Sequence, residues 1–89
     1  DQEVAAGYST YVIHNNTPCR AAPQPFASIV RRFNCGAYIF VNEVDGLYAC
    51  SCNECTGRWA QVKISPTGSV CYIHRGNLNP YNGGACECP

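Results

Sequence analysis

The chain has 89 residues, including eight cysteines and no methionine, and its six basic residues balance its six acidic ones. A chain of this length forms a single domain, here residues 1–89, and buries only about 60% of the surface that it exposes when unfolded. Cysteine at this density is typical of an exported domain held together by disulfides. The zero formal charge excludes binding driven by bulk attraction to nucleic acid or to an anionic membrane.

The N-terminal third begins with features of a secreted protein. The chain starts at Asp1 without methionine or an apolar leader, which predicts a mature N-terminus from which a signal peptide was removed. Residues 8–14 are rich in Tyr, Thr, Val and Ile and predict a strand. The following Asn15-Asn16-Thr17 makes Asn15 a candidate glycosylation acceptor, although Pro18 disfavours modification. The alternative is a polar turn before Cys19.

Residues 26–33 predict a helix. Four apolar residues fall at i, i+3, i+4 and i+7, which is one helix face: Phe26, Ile29, Val30 and Phe33. Pro25 suits its first turn, and the basic pair Arg31-Arg32 suits its C-terminal end, where the helix dipole is negative. Gly36 suits the stop. We expect the apolar face of this helix to pack on the core.

The remaining elements predict antiparallel strands. Residues 38–44 form a strand, Asp45-Gly46 a hairpin turn, and residues 47–52 the returning strand. A second hairpin joins residues 58–64 to residues 69–74 through a turn at 65–68. The expected fold class is therefore α+β, with about five strands in a small sheet, one helix and four disulfides.

The tail after residue 74 consists largely of turn-forming residues. Loops on a rigid scaffold often carry binding residues, so this segment is a candidate contact surface. The candidate binding residues, which include the basic pair in the predicted helix, are Arg31, Arg32, Asn77, Leu78, Asn79 and Tyr81.

The cysteines allow 105 pairings that sequence alone does not resolve. We expect all eight to form disulfides: Cys19, Cys35, Cys50, Cys52, Cys55, Cys71, Cys86 and Cys88. Within each Cys-x-Cys, the two side chains share a strand face and are better placed to bond two partners than each other. Cys52 and Cys55 have the spacing of a zinc knuckle, but zinc sites usually contain two such pairs. We therefore predict no metal and no cofactor.

Four titratable residues on or beside predicted strands form the one ordered catalytic candidate: His14, Glu43, Arg58 and His74. A carboxylate base, a histidine acid and an arginine on the phosphate suit cleavage of RNA by in-line transesterification. Their order resembles that of the secreted fungal guanyl-specific ribonucleases. In that family, however, the helix precedes the first catalytic histidine, whereas here the predicted helix follows His14. The alternative is that both histidines are structural residues at strand ends.

Two further roles are open. A disulfide-fixed loop could inhibit a secreted protease, with Arg20 or Arg75 as the specificity residue. An antifungal protein or toxin is the other alternative. Zero net charge and the lack of a strongly cationic amphipathic helix oppose simple membrane lysis.

The run Cys-Ser-Cys-Asn-Glu-Cys-Thr-Gly-Arg-Trp-Ala-Gln-Val from Cys50, followed by Cys71 and by Asn-Gly-Gly-Ala-Cys at 82–86, carries a second resemblance. It is similar to the small secreted cysteine-rich proteins of filamentous fungi, and most of all to antifungal proteins of the bubble-protein type. The resemblance covers fewer than half of the residues, and the N-terminal half has no counterpart. It implies export by a fungus to act on another organism, as an antifungal protein or an effector.

Together these observations favour a secreted, extracellular, non-enzymatic binding protein of the effector or virulence type. We expect a monomer without a membrane span, whose partner is an extracellular protein or a cell-surface component and not a nucleic acid. The alternatives are an antifungal protein or toxin, a guanyl-type ribonuclease or ribonuclease-like protein, and a protease inhibitor.

Overall fold

The fold is a single antiparallel sheet of six strands that curls into half a barrel. The structure, a computed structural model, describes residues 7–51, 54–66 and 68–79. The strands are β1 (Tyr8–Tyr11), β2 (Thr17–Arg20), β3 (Ile29–Phe33), β4 (Tyr38–Ser51), β5 (Glu54–Lys63) and β6 (Val70–His74). A 3-10 turn at Arg75–Asn77 follows β6. The order across the sheet is β1-β4-β5-β6-β2-β3, so β1 and β3 form its two edges.

The core lies on one side of the sheet, which we call the inner face. Val41 of β4, Ala60 of β5 and Ile73 of β6 point to this face and are fully buried. Because opposite residues in an antiparallel pair share a face, the registers Val41 to Val62 and Val62 to Cys71 extend the core across three strands. The residues between them belong to the opposite side, the outer face.

The predicted helix over residues 26–33 is wrong, and the predicted α+β class is wrong with it, because the described residues contain no α-helix. Residues 29–33 form the edge strand β3, where Phe33 pairs with Thr17 of β2. Phe26 is 92% exposed instead of packing on the core. The helical spacing spans only eight residues, and Ile, Val and Phe suit a strand equally well once β2 supplies a partner.

The predicted hairpin turn at Asp45-Gly46 is also wrong. β4 runs through this point with a shift in register between Asp45 and Ala49, and the chain reverses between Ser51 and Glu54. Residues 47–51 therefore extend β4 and do not return along it.

Close approach of another segment explains the glycine at position 46. The backbone N–H of Leu47 donates to the carbonyl oxygen of Pro23 at 3.0 Å, so the segment around Pro23 crosses β4 here. A Cβ at position 46 would overlap that carbonyl oxygen and lie 2.7 Å from Cδ1 of Trp59. Glycine is needed for space and not for a turn.

The second predicted hairpin is confirmed. β5 pairs with β6 from Trp59 opposite His74 to Lys63 opposite Val70. The turn between them includes Gly68, whose φ of 107° favours glycine. The predicted strand at 38–44 lies within β4, whereas the predicted strand at 8–14 is shortened to Tyr8–Tyr11.

Disulfide bonding is confirmed for every described cysteine. Cys19–Cys71 joins β2 to β6, and Cys50–Cys55 joins β4 to β5 beside the chain reversal. Cys35 is also disulfide-bonded. Because Cys55 is bonded to Cys50, it is not available to a zinc site with Cys52. The remaining cysteines, Cys52, Cys86 and Cys88, lie outside the described residues.

Candidate functional site

Glu43 is the centre of a polar cluster on the inner face. The Tyr8 hydroxyl donates to its Oε2 at 2.7 Å, and Nε of Arg75 donates to the same oxygen at 3.1 Å. Nη2 of Arg58 donates to Oε1 at 3.0 Å, and Arg58 also forms an ion pair with Asp45. Both carboxylate oxygens of Glu43 are therefore occupied.

These contacts fix the protonation states of the cluster. The hydrogen bond from Tyr8, followed by those from Arg58 and Arg75, lowers the pKa of Glu43 despite its partial burial. Burial, and then the hydrogen bond to Glu43, raises the pKa of Tyr8 from 10.0 to about 12. Glu43 and Asp45 raise the pKa of Arg58. Glu43 is thus a weak base and Tyr8 a weak acid near neutral pH.

His74 does not belong to this cluster. His74 of β6 lies opposite Trp59 of β5. Trp59 is the neighbour of Arg58, and neighbouring residues of a strand point to opposite faces, so His74 lies on the outer face. Its Nδ1 accepts the backbone N–H of Gly76 at 3.1 Å, so Nε2 carries the proton and donates to the Thr56 carbonyl oxygen at 3.1 Å. The ring also packs edge-on against Trp59, with centroids 5.1 Å apart. Both ring nitrogens of His74 are therefore engaged within the fold.

His14 is likewise committed to other contacts. Its Nδ1 lies 2.9 Å from Oδ1 of Asn77, which also accepts the Ser51 hydroxyl at 2.6 Å. Its Nε2 is buried without a hydrogen-bond partner among the described residues. Of the four predicted catalytic residues, the structure brings together only Glu43 and Arg58.

Sequence reasoning missed the cluster's other two members. Tyr8 is opposite Val41 in the register of β1 with β4, and Glu43 lies two residues further along the same face. Arg75 reaches Glu43 from the 3-10 turn. The alternation of side chains along β1 predicts which face of the strand carries Tyr8. It does not predict that β1 lies beside β4, which follows only from the strand order of the sheet.

Within the described residues, the arrangement holds charge but does not bring a complete acid and base pair together. Glu43 would have to give up three hydrogen-bond partners to accept a proton from a substrate. Neither described histidine contacts it. General acid–base cleavage needs both groups within hydrogen-bond reach of the reacting atoms.

The predicted contact and inhibitor residues occupy varied positions. Leu78 and Asn79 are 1% and 9% exposed, respectively, and therefore pack in the interior. Arg75 is 9% exposed, too little to enter a protease pocket. Among the other described candidates for contact, Arg31 and Arg32 are exposed and Asn77 is partly buried. Arg20, the other inhibitor candidate, donates to the Ala27 carbonyl oxygen. Asn15, the candidate glycosylation acceptor, is exposed, and its side-chain oxygen accepts the Cys35 N–H. Tyr81 lies outside the described residues.

Large apolar side chains are exposed on β4 and on the segment that crosses it near Pro23. Phe26 is 92% exposed, and Tyr48 and Leu47 are 71% and 55% exposed. The hydrogen bond between Leu47 and Pro23 brings the segment that carries Phe26 against this part of β4. We call these three residues, Phe26, Leu47 and Tyr48, the apolar loop patch.

Within residues 7–51, 54–66 and 68–79, no group of three or more His, Cys, Asp or Glu side chains is placed to bind a metal ion. No helix in the described ranges is long and apolar enough to cross a membrane. Comparisons with protein-family models, curated proteins and solved structures found no match.

Proposed function

We propose that this chain is a secreted, non-enzymatic binding protein that acts outside the cell on another organism, as fungal effectors do. The exposure of Phe26, Leu47 and Tyr48, on two segments joined by the hydrogen bond between Leu47 and Pro23, carries the proposal. Exposed clusters of large apolar residues mark interaction sites, and aromatic side chains are typical binding anchors. Cysteine richness and the disulfides support an oxidising, extracellular location.

The polar cluster supports a non-enzymatic role. Glu43 is neutralised by Arg58 and Arg75, while His74 lies on the other face with both ring nitrogens bonded. A group that is fully engaged in the resting protein stabilises the fold more readily than it transfers protons. We therefore assign the cluster to the fold and the apolar loop patch to the partner.

Binding of labelled protein to intact plant cells and fungal hyphae tests the proposal. Phe26→Ser and Tyr48→Ser should each weaken saturable binding about tenfold, because an aromatic anchor contributes more than about 1 kcal/mol. Gln24→Ala is the matched control, since Gln24 is polar and exposed in the same segment, and it should bind as the unaltered protein does. Failure to bind either cell type, or equal binding by all variants, would contradict the proposal.

One observation favours a second candidate, a ribonuclease or ribonuclease-like protein. Arg58 and Arg75 converge on Glu43 beside the Tyr8 hydroxyl, and two guanidinium groups beside a carboxylate can stabilise a phosphodiester transition state. Incubation with RNA tests this candidate. Cleavage that is abolished by Glu43→Gln, but retained by Asp45→Asn, would replace the binding role with catalysis.

A further inference from the structure

A groove opens at the end of the sheet where β4 and β5 separate. Their pairing ends at Val41 opposite Val62, and residues 38–40 beyond it pair with β1. The groove between residues 38–40 and 62–64 has a volume of about 310 Å³ and is also lined by Arg31 and Phe33 of β3. This volume lies at the lower end of the range of about 300–1,000 Å³ for small-molecule sites.

The groove combines apolar walls with positive charge. Phe33, Ile39, Val62 and Ile64 contribute to its lining, which includes the cations Arg31 and Lys63 but no acidic residue. The described acids near the sheet centre, Glu43 and Asp45, are instead paired with Arg58 and Arg75.

The two lining cations differ from the other described basic residues. Arg20 and Arg32 donate to backbone carbonyl oxygens, and Arg58 and Arg75 bind carboxylates. In the described part of the chain, neither Arg31 nor Lys63 forms an ion pair. The guanidinium of Arg31 lies 4.7 Å from the centroid of the Phe33 ring, which holds it beside the apolar wall.

We propose that this groove binds a small amphipathic carboxylate, with its charged end paired to Arg31 and its apolar body against Phe33 and Ile39, which share the inner face with Arg31. The arginine fork matches a carboxylate, and burial of the apolar body supplies affinity. A concave site fits a free molecule. The inference goes beyond the proposed cell binding, because the groove shares no residue with the apolar loop patch and either can fail alone.

Octanoate serves as the test ligand, and octanol, which has the same chain length but no charge, serves as the control ligand. In a titration followed by amide NMR of the full chain, octanoate should cause saturable shifts around residues 31–33, 38–40 and 62–64. Arg31→Gln should weaken octanoate binding about threefold to fivefold, as expected for a partly exposed ion pair. Octanol should bind about threefold to fivefold more weakly than octanoate, because it does not form this ion pair.

Arg32→Gln is the matched control. Arg32 is the next residue of the same strand, pairs with Pro18 on the outer face, and donates to the Asn16 carbonyl oxygen. This variant should bind octanoate as the unaltered protein does, and the dispersed amide spectrum of each variant verifies its fold. Equal affinity for octanoate and octanol, equal effects of Arg31→Gln and Arg32→Gln, shifts elsewhere on the sheet, or binding only to phosphatidylserine vesicles would each overturn the proposal.

Discussion

Tyr8 and Glu43 are 35 positions apart in the chain, yet the Tyr8 hydroxyl donates a 2.7 Å hydrogen bond to the Glu43 carboxylate. This bond joins the edge strand β1 to β4 on the inner face. It favours a protonated phenol and an ionised carboxylate, so each group holds the other in its neutral-pH state. The pair makes the stability of this sheet edge dependent on pH in both directions.

Glu43→Gln should destabilise the protein near neutral pH by about 2 kcal/mol, the scale of hydrogen bonds to a charged group. The pKa of Glu43 is lower in the folded than in the unfolded state. Its contribution is therefore present above the unfolded-state pKa and is lost as pH falls through the folded-state pKa. Urea unfolding between neutral and strongly acidic pH should show a shallower acid slope for the variant. Asp45→Asn, at an exposed carboxylate, is the control, and an equal change in its slope would contradict this assignment.

Tyr8→Phe should remove a phenol that ionises well above pH 10. Tyr8 has a pKa raised from 10.0 to about 12, so its contribution to stability is present below pH 10 and is lost as pH rises toward 12. Phenolate absorbance during an alkaline titration should show a late component that is missing in the variant. Circular dichroism over the same range verifies that the fold persists, and a late component retained by Tyr8→Phe would assign it to another tyrosine.

Gly46→Ala should be strongly destabilising. The added methyl group would meet the Pro23 carbonyl oxygen and the Trp59 ring, and overpacking of this kind costs about 3 kcal/mol. Gly36→Ala is the comparison, because position 36 is open but has a φ of 92°, and left-handed strain costs about 1 kcal/mol. Denaturant midpoints measure the difference. A smaller loss of stability for Gly46→Ala than for Gly36→Ala would show that the segment around Pro23 moves to make room for the methyl group.

The two placed disulfides should contribute unequally. In loop-closure terms, Cys19–Cys71 spans 52 positions and should contribute about 4 kcal/mol, whereas Cys50–Cys55 spans five and should contribute about 2 kcal/mol. Paired cysteine-to-alanine variants, unfolded in urea, test this order. The reverse order would mean that local packing outweighs chain entropy at these bridges.

Local signals predicted part of the fold. The hairpin from β5 to β6 follows from a turn sequence between two strand-forming runs, and both partners lie within twenty residues of each other. The β3 segment was predicted as a helix because its partner, β2, is set by tertiary contacts and by the disulfide from Cys19. Gly46 was predicted as a turn because a close contact with Pro23 leaves no mark in the sequence beyond the glycine itself.

The predicted site was limited by register. Alternation places Glu43 and Arg58 each on a definite strand face, and these two residues do meet. Whether His74 shares that face depends on which residue of β5 lies opposite it. Pairing with Trp59, and not with Arg58, sends its side chain to the other side of the sheet. Strand order, which places Tyr8 beside β4, is equally inaccessible to a single sequence.

The strand order also has a kinetic consequence. β1 pairs with β4, and β2 pairs with β6 as well as with β3. Only the pairing of β2 with β3 is therefore available before the later strands of the sheet have been synthesised. Pairing of this kind closes long loops before contacts repay their entropy, which slows folding. The bond between Cys19 and Cys71 forms correctly only after β6 has emerged. Four other cysteines are synthesised between Cys19 and Cys71. Native pairing therefore requires that Cys19 stays reduced until Cys71 emerges, or that a wrong bond is exchanged afterwards.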